Sequence, residues 1–207
     1  MKIKYLLKIC TALLILVFSR SHFLLASDHE EKVFEKKDII IYELDNREDI
    51  NHYKAIYYIN SNLADFKRMV LNPENHKHWI GNVKSAINIG EQTDSVIYTH
   101  IVISVRSILK KEAVIKTTIK TSVDTNTYIT QKIDTTLHFN SQYEKLNIFT
   151  AQWKIEELKE NKLKVELSFI GERNDYPDFI DDFLRSIFIK KLYKLAHRSR
   201  KQANKLN

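Results

Sequence analysis

The stretch from Pro177 to Lys205 limits the folds open to this chain more than any other. Phe179, Ile180, Phe183, Leu184, Ile187, Phe188, Leu192, Leu195 and Ala196 recur at steps of three and four, the spacing of one broad apolar stripe on a helix. Asp178, Asp181, Arg185, Lys190, Lys194 and Arg198 fill the other side. Pro177 suits a first helical position, Asp175 can cap the free amides, and the early acids and late bases complement the helix dipole. So wide a stripe is not stable alone in water, so the rest of the chain must supply an apolar surface to hold it.

That surface is written in period two. Ile39 to Tyr42 and His52 to Ile59 read as two strands, and Leu63 to Leu71 reads as a short helix ended by Asn72-Pro73. Glu74 to Gly81 reads as a sharp turn, after which Val83 to Ile89 resumes as a strand. Val96–Ile103, Ala113–Val123, Thr127–Phe139, Ile148–Leu158 and Leu163–Ile170 then alternate, divided by polar turns, as an antiparallel meander. Ala113, Ile115 and Ile119 form one face against Lys116, Thr118 and Lys120, and Phe149, Ala151, Trp153 and Ile155 continue it. A half-solvated sheet with one apolar side is the natural partner of the helix.

Met1 to Ser27 reads as an export signal: Lys2, Lys4 and Lys8 precede the apolar run Ile9 to Phe18, and Ala26-Ser27 offer small residues for cleavage. The run falls short of the ~20 residues of a spanning helix. Export to a periplasm-like compartment is expected, with an uncleaved membrane anchor as the alternative. Residues 28–37 read as a charged leader, and 38–207 as one domain. The only cysteine, Cys10, lies inside the signal, which excludes disulfides, zinc–thiolate sites and thiol nucleophiles from the exported remainder.

Lys2, Lys4, Lys8 and Arg20 account for four of the formal +7, leaving +3. Seven cations between Lys190 and Lys205 then exceed that total, so the basicity belongs to one helix end, expected to run beyond the sheet as a solvated extension. Transient contact of this end with an anionic membrane surface, at about 1 kcal/mol per cation, is a second expectation. No basic face interleaved with aromatics suggests nucleic acid.

The order of elements resembles the helix-grip fold of the START and SRPBCC superfamily, which includes polyketide-cyclase-like proteins. The resemblance runs from about Tyr53 to Ala203. It is carried by the helix before Asn72-Pro73, by His78-Trp79-Ile80-Gly81-Asn82-Val83, by Tyr98 and by Tyr176-Pro177-Asp178-Phe179. Lys111-Glu112 stands where START proteins usually have Arg-Asp, keeping the charge order without the guanidinium fork. The resemblance implies an α+β fold: a curved antiparallel β-sheet wrapped around a long C-terminal α-helix, with short helices after the second strand. It also implies a hydrophobic cavity between sheet and helix that binds or transfers a lipid or another apolar small molecule.

The expected lining is Trp79, Tyr98, His100, Lys111, Glu112, Ile115, Ile119, Trp153, Phe179, Phe183 and Ile187, with Thr117, Thr121, Gln131 and Thr135 as sparse polar groups. A monomer without cofactor is expected. Two other readings stay open. One is a cyclase- or hydrolase-like enzyme using Lys111, Glu112 and His100; the other is a partner-binding module whose core is filled by side chains. His76 and His78, with Glu74 close by, read as a surface turn rather than a metal site.

Overall fold

The computed structural model describes residues 30–44, 50–105, 109–122, 126–137, 143–146, 149–159, 161–172 and 178–206, with the side chains of 105, 109, 172, 178–184 and 206 excepted. The expected signal therefore lies outside the described residues. Glu31–Asn207 form one unit. Its strands are β1 (Glu31–Lys36), β2 (Ile39–Glu43), β3 (Ile50–Asn60), β4 (Val83–Asn88), β5 (Val96–Val105), β6 (Leu109–Thr121), β7 (Thr127–Ile133), β8 (Glu144–Lys145), β9 (Phe149–Leu158) and β10 (Lys162–Glu172). The helices are α1 (Leu63–Leu71), α2 (Pro73–Trp79) and α3 (Asp178–Leu206). The strands form one sheet in the order β1-β2-β3-β10-β9-β7-β6-β5-β4, with the short β8 pairing in parallel with β6.

Residues 31–36 of the charged leader are a strand, neither loose nor a short helix. Lys37 and Asp38 adopt φ of 51° and 58°, the left-handed pair that turns a two-residue hairpin, so β1 folds back antiparallel on β2. Phe34 anchors the strand against Tyr193 of α3, with ring centroids 5.3 Å apart. Charged residues on both faces hid this edge strand from the alternation rule.

The central strands keep a strict register. Ala55 pairs with Leu167, and Leu167 with Trp153, so Tyr53, Ala55, Tyr57 and Ile59 share an inner face with Leu163, Val165, Ile155 and Trp153, all buried. Residues between them on each strand form the outer face.

Asn72 does two jobs: its backbone N–H closes α1 on the Arg68 carbonyl, and its side-chain oxygen accepts from the Glu74 amide at 2.9 Å to open α2. With Pro73 as the first helical residue, 73–79 becomes a helix where a turn was expected. The helix carries His76 and Trp79 inward: His76 Nε2 meets the Val70 carbonyl at 2.8 Å, and Trp79 Nε1 donates to the Met69 carbonyl at 3.3 Å. His78 is exposed.

Burial holds the His76 imidazole below its ordinary 6.5, against the opposing pull of the Val70 carbonyl. The unfolded chain therefore takes up a proton before the folded one, and the stability that the neutral ring contributes falls as pH drops below about 6.5. Urea unfolding at pH 7.5 and 5.5 should show a loss at the lower pH that is smaller in His76→Gln. Equal losses in the two proteins would refute this assignment.

β7 ends six residues short of the expected Phe139. The Asp134 carboxylate accepts from the Thr136 hydroxyl (2.6 Å), the Thr136 amide (2.8 Å) and the Leu137 amide (3.2 Å), and these bonds turn the chain out of the sheet. The same donors, the Thr136 hydroxyl foremost, keep the carboxyl below its ordinary range.

The C-terminal half of α3 is not a free basic extension. Leu192, Ala196, Ser199 and Ala203 are buried at a helical spacing, and small residues at three of these four positions let the backbone approach β3 closely. Tyr57 Oη and Ser199 Oγ lie 2.9 Å apart, Ser199 Oγ also donates to the Ala196 carbonyl, and Arg200 donates to the Lys37 carbonyl at 2.9 Å. Burial raises the Tyr57 phenol, so the hydroxyl stays protonated. The cations of this half stand on the faces the contact leaves free. Among the described residues, no helix is long and apolar enough to cross a membrane.

Candidate functional site

The inner face of the sheet divides into two parts. Under β2, β3, β10 and β9 it is packed solid: Trp153 meets Phe66 and Trp79 edge to face, at 5.7 and 5.6 Å, and α3 adds Leu192, Ala196 and Ala203 to the same contiguous core. Phe188 extends the packing onto Tyr53 and Phe169, at 5.0 and 5.1 Å. On β5 and β6 the same face carries Thr99, Ala113, Ile115 and Thr117, all buried, with Ile101, Ile103 and Ile119 half-buried. Among the described residues, none on β4, β5 or β6 belongs to the contiguous core. Gln131, buried on β7 at the boundary, accepts from Trp153 Nε1 at 3.4 Å.

The register distributes the expected lining residues between the two faces. Ile115, Ile119, Lys111 and Trp153 take inner positions: Ile115 pairs with Ile133, Ile119 with Ile129, Ile129 with Trp153, and Lys111 with Ile103. Lys111 reaches Glu144 at 3.1 Å. Trp79 sits on the same side, taken up by the core, and Ile187 is half-buried on α3. Tyr98, His100 and Glu112 instead point to the outer face, where the Lys116 ammonium lies over the Tyr98 ring. Lys111 and Glu112 are adjacent on one strand and so face opposite ways. The expected trio of Lys111, Glu112 and His100 therefore does not converge. The side chains of Phe179 and Phe183 lie outside the described residues.

On the outer face His100 Nε2 lies 3.0 Å from a Glu112 carboxylate oxygen, both side chains nearly buried (11% and 5% exposed). They line a cavity of about 280 Å³ formed where the chain leaves β7 and returns as β8. A larger open groove, about 560 Å³, runs between α2 and the edge strand β4, lined by Glu74, Lys77, His78, Lys84 and Ser85 among others. Among the described residues, no three His, Cys, Asp or Glu side chains converge to hold a metal ion.

Sequence reading also missed a buried ion pair under the helix. Glu43, 4% exposed, follows Ile39 and Ile41 on the inner face, accepts from the Tyr53 hydroxyl at 3.0 Å and pairs with Arg185 of α3. An acid in the third place of an alternating apolar series was the available signal.

No family model matches the chain, and no curated protein sequence does. Solved structures do. The STAR-related lipid transfer protein from Xanthomonas axonopodis superposes with a TM-score of 0.74 at 10% identity, over 85% of this chain and 99% of its own. The chain has the START helix-grip fold. Human StAR-related lipid transfer protein 5 matches with a TM-score of 0.69 at 12% identity, over 91% of this chain and 93% of its own. The lipid transfer and protein localization domain of human StarD13 also gives 0.69, at 10% identity, over 91% and 95%. In START terms, the expected curved antiparallel sheet, long C-terminal helix and short helices are all present. The short helices follow β3, because the unforeseen β1 precedes the two expected strands.

Proposed function

We propose that this START-fold chain binds or transfers a lipid or another hydrophobic molecule, held between the inner face of β4–β6 and the first half of α3. One observation carries the reading: the inner face of β5 and β6 buries Thr99, Ala113, Ile115 and Thr117, with three isoleucines half-buried, yet among the described residues it stands outside the contiguous core. Buried surface against which no described core side chain packs is suited to an apolar guest. The lipid-transfer names of the structural neighbours support the same class of ligand. Capture would be passive. Each buried methylene contributes ~0.8 kcal/mol, so a dozen give roughly 10 kcal/mol before the ordering costs of binding. Movement of the first half of α3 would admit and release the guest. We place the protein outside the cytoplasmic membrane, with residues 1–27 removed, acting as a monomer.

Native mass spectrometry of protein purified from its own cells tests this reading. Co-purified apolar ligand should be present in the wild type, and binding of an added fluorescent fatty acid should weaken about tenfold or more in Ile115→Trp, which fills the space. The intact mass of the same sample reports whether residues 1–27 have been removed. Recovery without ligand, together with no binding of any lipid offered, would end the proposal.

A further inference from the structure

The structure assigns a second binding site to the outer face of the sheet: the His100–Glu112 cavity, which we propose takes a small organic monocation, a primary ammonium on a short apolar body. This site does not depend on the lipid reading, because its charged groups, His100 and Glu112, stand on the outer face, although Ala113 and Ile133 of the inner-face series also reach the cavity wall.

The fold builds the cavity deliberately. β7 stays paired with β6 only to Ile133 opposite Ile115, and the Asp134 amide then takes the Val114 carbonyl. The Asp134 turn lifts the chain away, and it rejoins β6 as β8, Glu144 beside Lys111 and Lys145 beside Glu112. The Leu146 amide closes the detour on the Glu112 carbonyl. Between departure and return no described strand pairs with β6 on this side, and the cavity of about 280 Å³ lies there. Val114, Leu137 and Leu146 give its apolar wall.

Glu112 is the group that selects the guest. A carboxylate this deeply buried is costly unless charge and hydrogen bonds compensate it. One oxygen meets His100 Nε2 at 3.0 Å. Among the described residues, no other side chain donates to this carboxylate, and its second oxygen is left to the cavity that Glu112 lines. Asp134 adds a second negative charge at the rim, fixed by its own turn. Lys145 is the cation on this wall; it is exposed, so water screens it, while the ammonium of a guest would meet Glu112 out of water. An anionic guest would bring its charge against a desolvated carboxylate. A protonated amine completes the pair instead, and its apolar body covers Val114, Leu137 and Leu146.

Amide chemical-shift titration of the full chain with n-butylammonium, and separately with butyrate, tests the site. Saturable shifts are expected around His100, Val114 and Leu146 with the amine and not with the acid. Glu112→Gln should weaken amine binding by roughly tenfold or more, as truncating one partner of a buried charge pair does. Val114→Trp, which fills the cavity and keeps the charges, should abolish it. Fatty-acid binding should be unchanged in both variants, separating this site from the space under α3. Equal binding of butyrate, amine binding indifferent to Glu112→Gln and Val114→Trp, or no saturation would overturn the assignment.

Discussion

Trp153→Ala should cost roughly 3–5 kcal/mol of folding stability, one of the largest losses any single substitution in this chain would produce. The indole is 1% exposed and its edges meet Phe66 from α1 and Trp79 from α2, so one side chain joins the sheet to both short helices. Truncation opens a cavity at this junction, removes two edge-to-face contacts and leaves the Gln131 oxygen without the indole N–H. Urea unfolding followed by circular dichroism measures the loss, and Trp153→Phe should lose less because a ring remains. The measurement also separates two roles for this residue. An indole that walled a ligand space would give a stability loss under about 1 kcal/mol with a large change in ligand affinity. A large loss with affinity per folded molecule preserved is the result expected of a core residue.

Arg185→Ala should cost about 2–3 kcal/mol, less than the 3–5 of a fully buried pair because Arg185 keeps 37% of its side chain in water. Most of that cost arises on the partner. The Glu43 side chain is only 5% exposed, and loss of the guanidinium leaves a desolvated carboxylate that still accepts from the Tyr53 hydroxyl. Glu43→Gln in the Arg185→Ala background should therefore recover part of the stability, a coupling that a double-mutant cycle reads directly. Additive losses would show that the two groups do not depend on each other.

Much of this architecture was legible because β3, β9 and β10 alternate strictly and the α3 stripe repeats at helical spacing over many residues. What escaped has physical causes. β1 carries charge on both faces, so no period shows. α2 is too short and too polar to display a stripe, and only its Asn72-Pro73 start announces it. The docking of the second half of α3 rests on Ala196, which belongs to the apolar stripe, and on Ser199 and Ala203, small residues beyond it that hydropathy reading passes over. For the site, alternation could sort residues onto two faces but the resemblance drew attention to Lys111-Glu112 as a unit. Neighbours on a strand cannot share a face, and that rule alone would have parted Lys111 from Glu112; placing His100 beside Glu112 needs the β5–β6 register.

The two attachments of α3 differ in kind. Near its far end the helix is held by the buried Tyr57–Ser199 contact within a packed interface; fourteen residues earlier its described hold on β2 is the Arg185–Glu43 ion pair. At 1.5 Å per residue those points stand ~21 Å apart, which makes the helix a lever with its fulcrum at Ser199. A tilt of about ten degrees there would carry the Arg185 end through roughly 4 Å at that radius. Such a tilt would need no unfolding and no hinge within the helix, but it would have to part the Arg185–Glu43 pair and slide Phe188 across Tyr53 and Phe169.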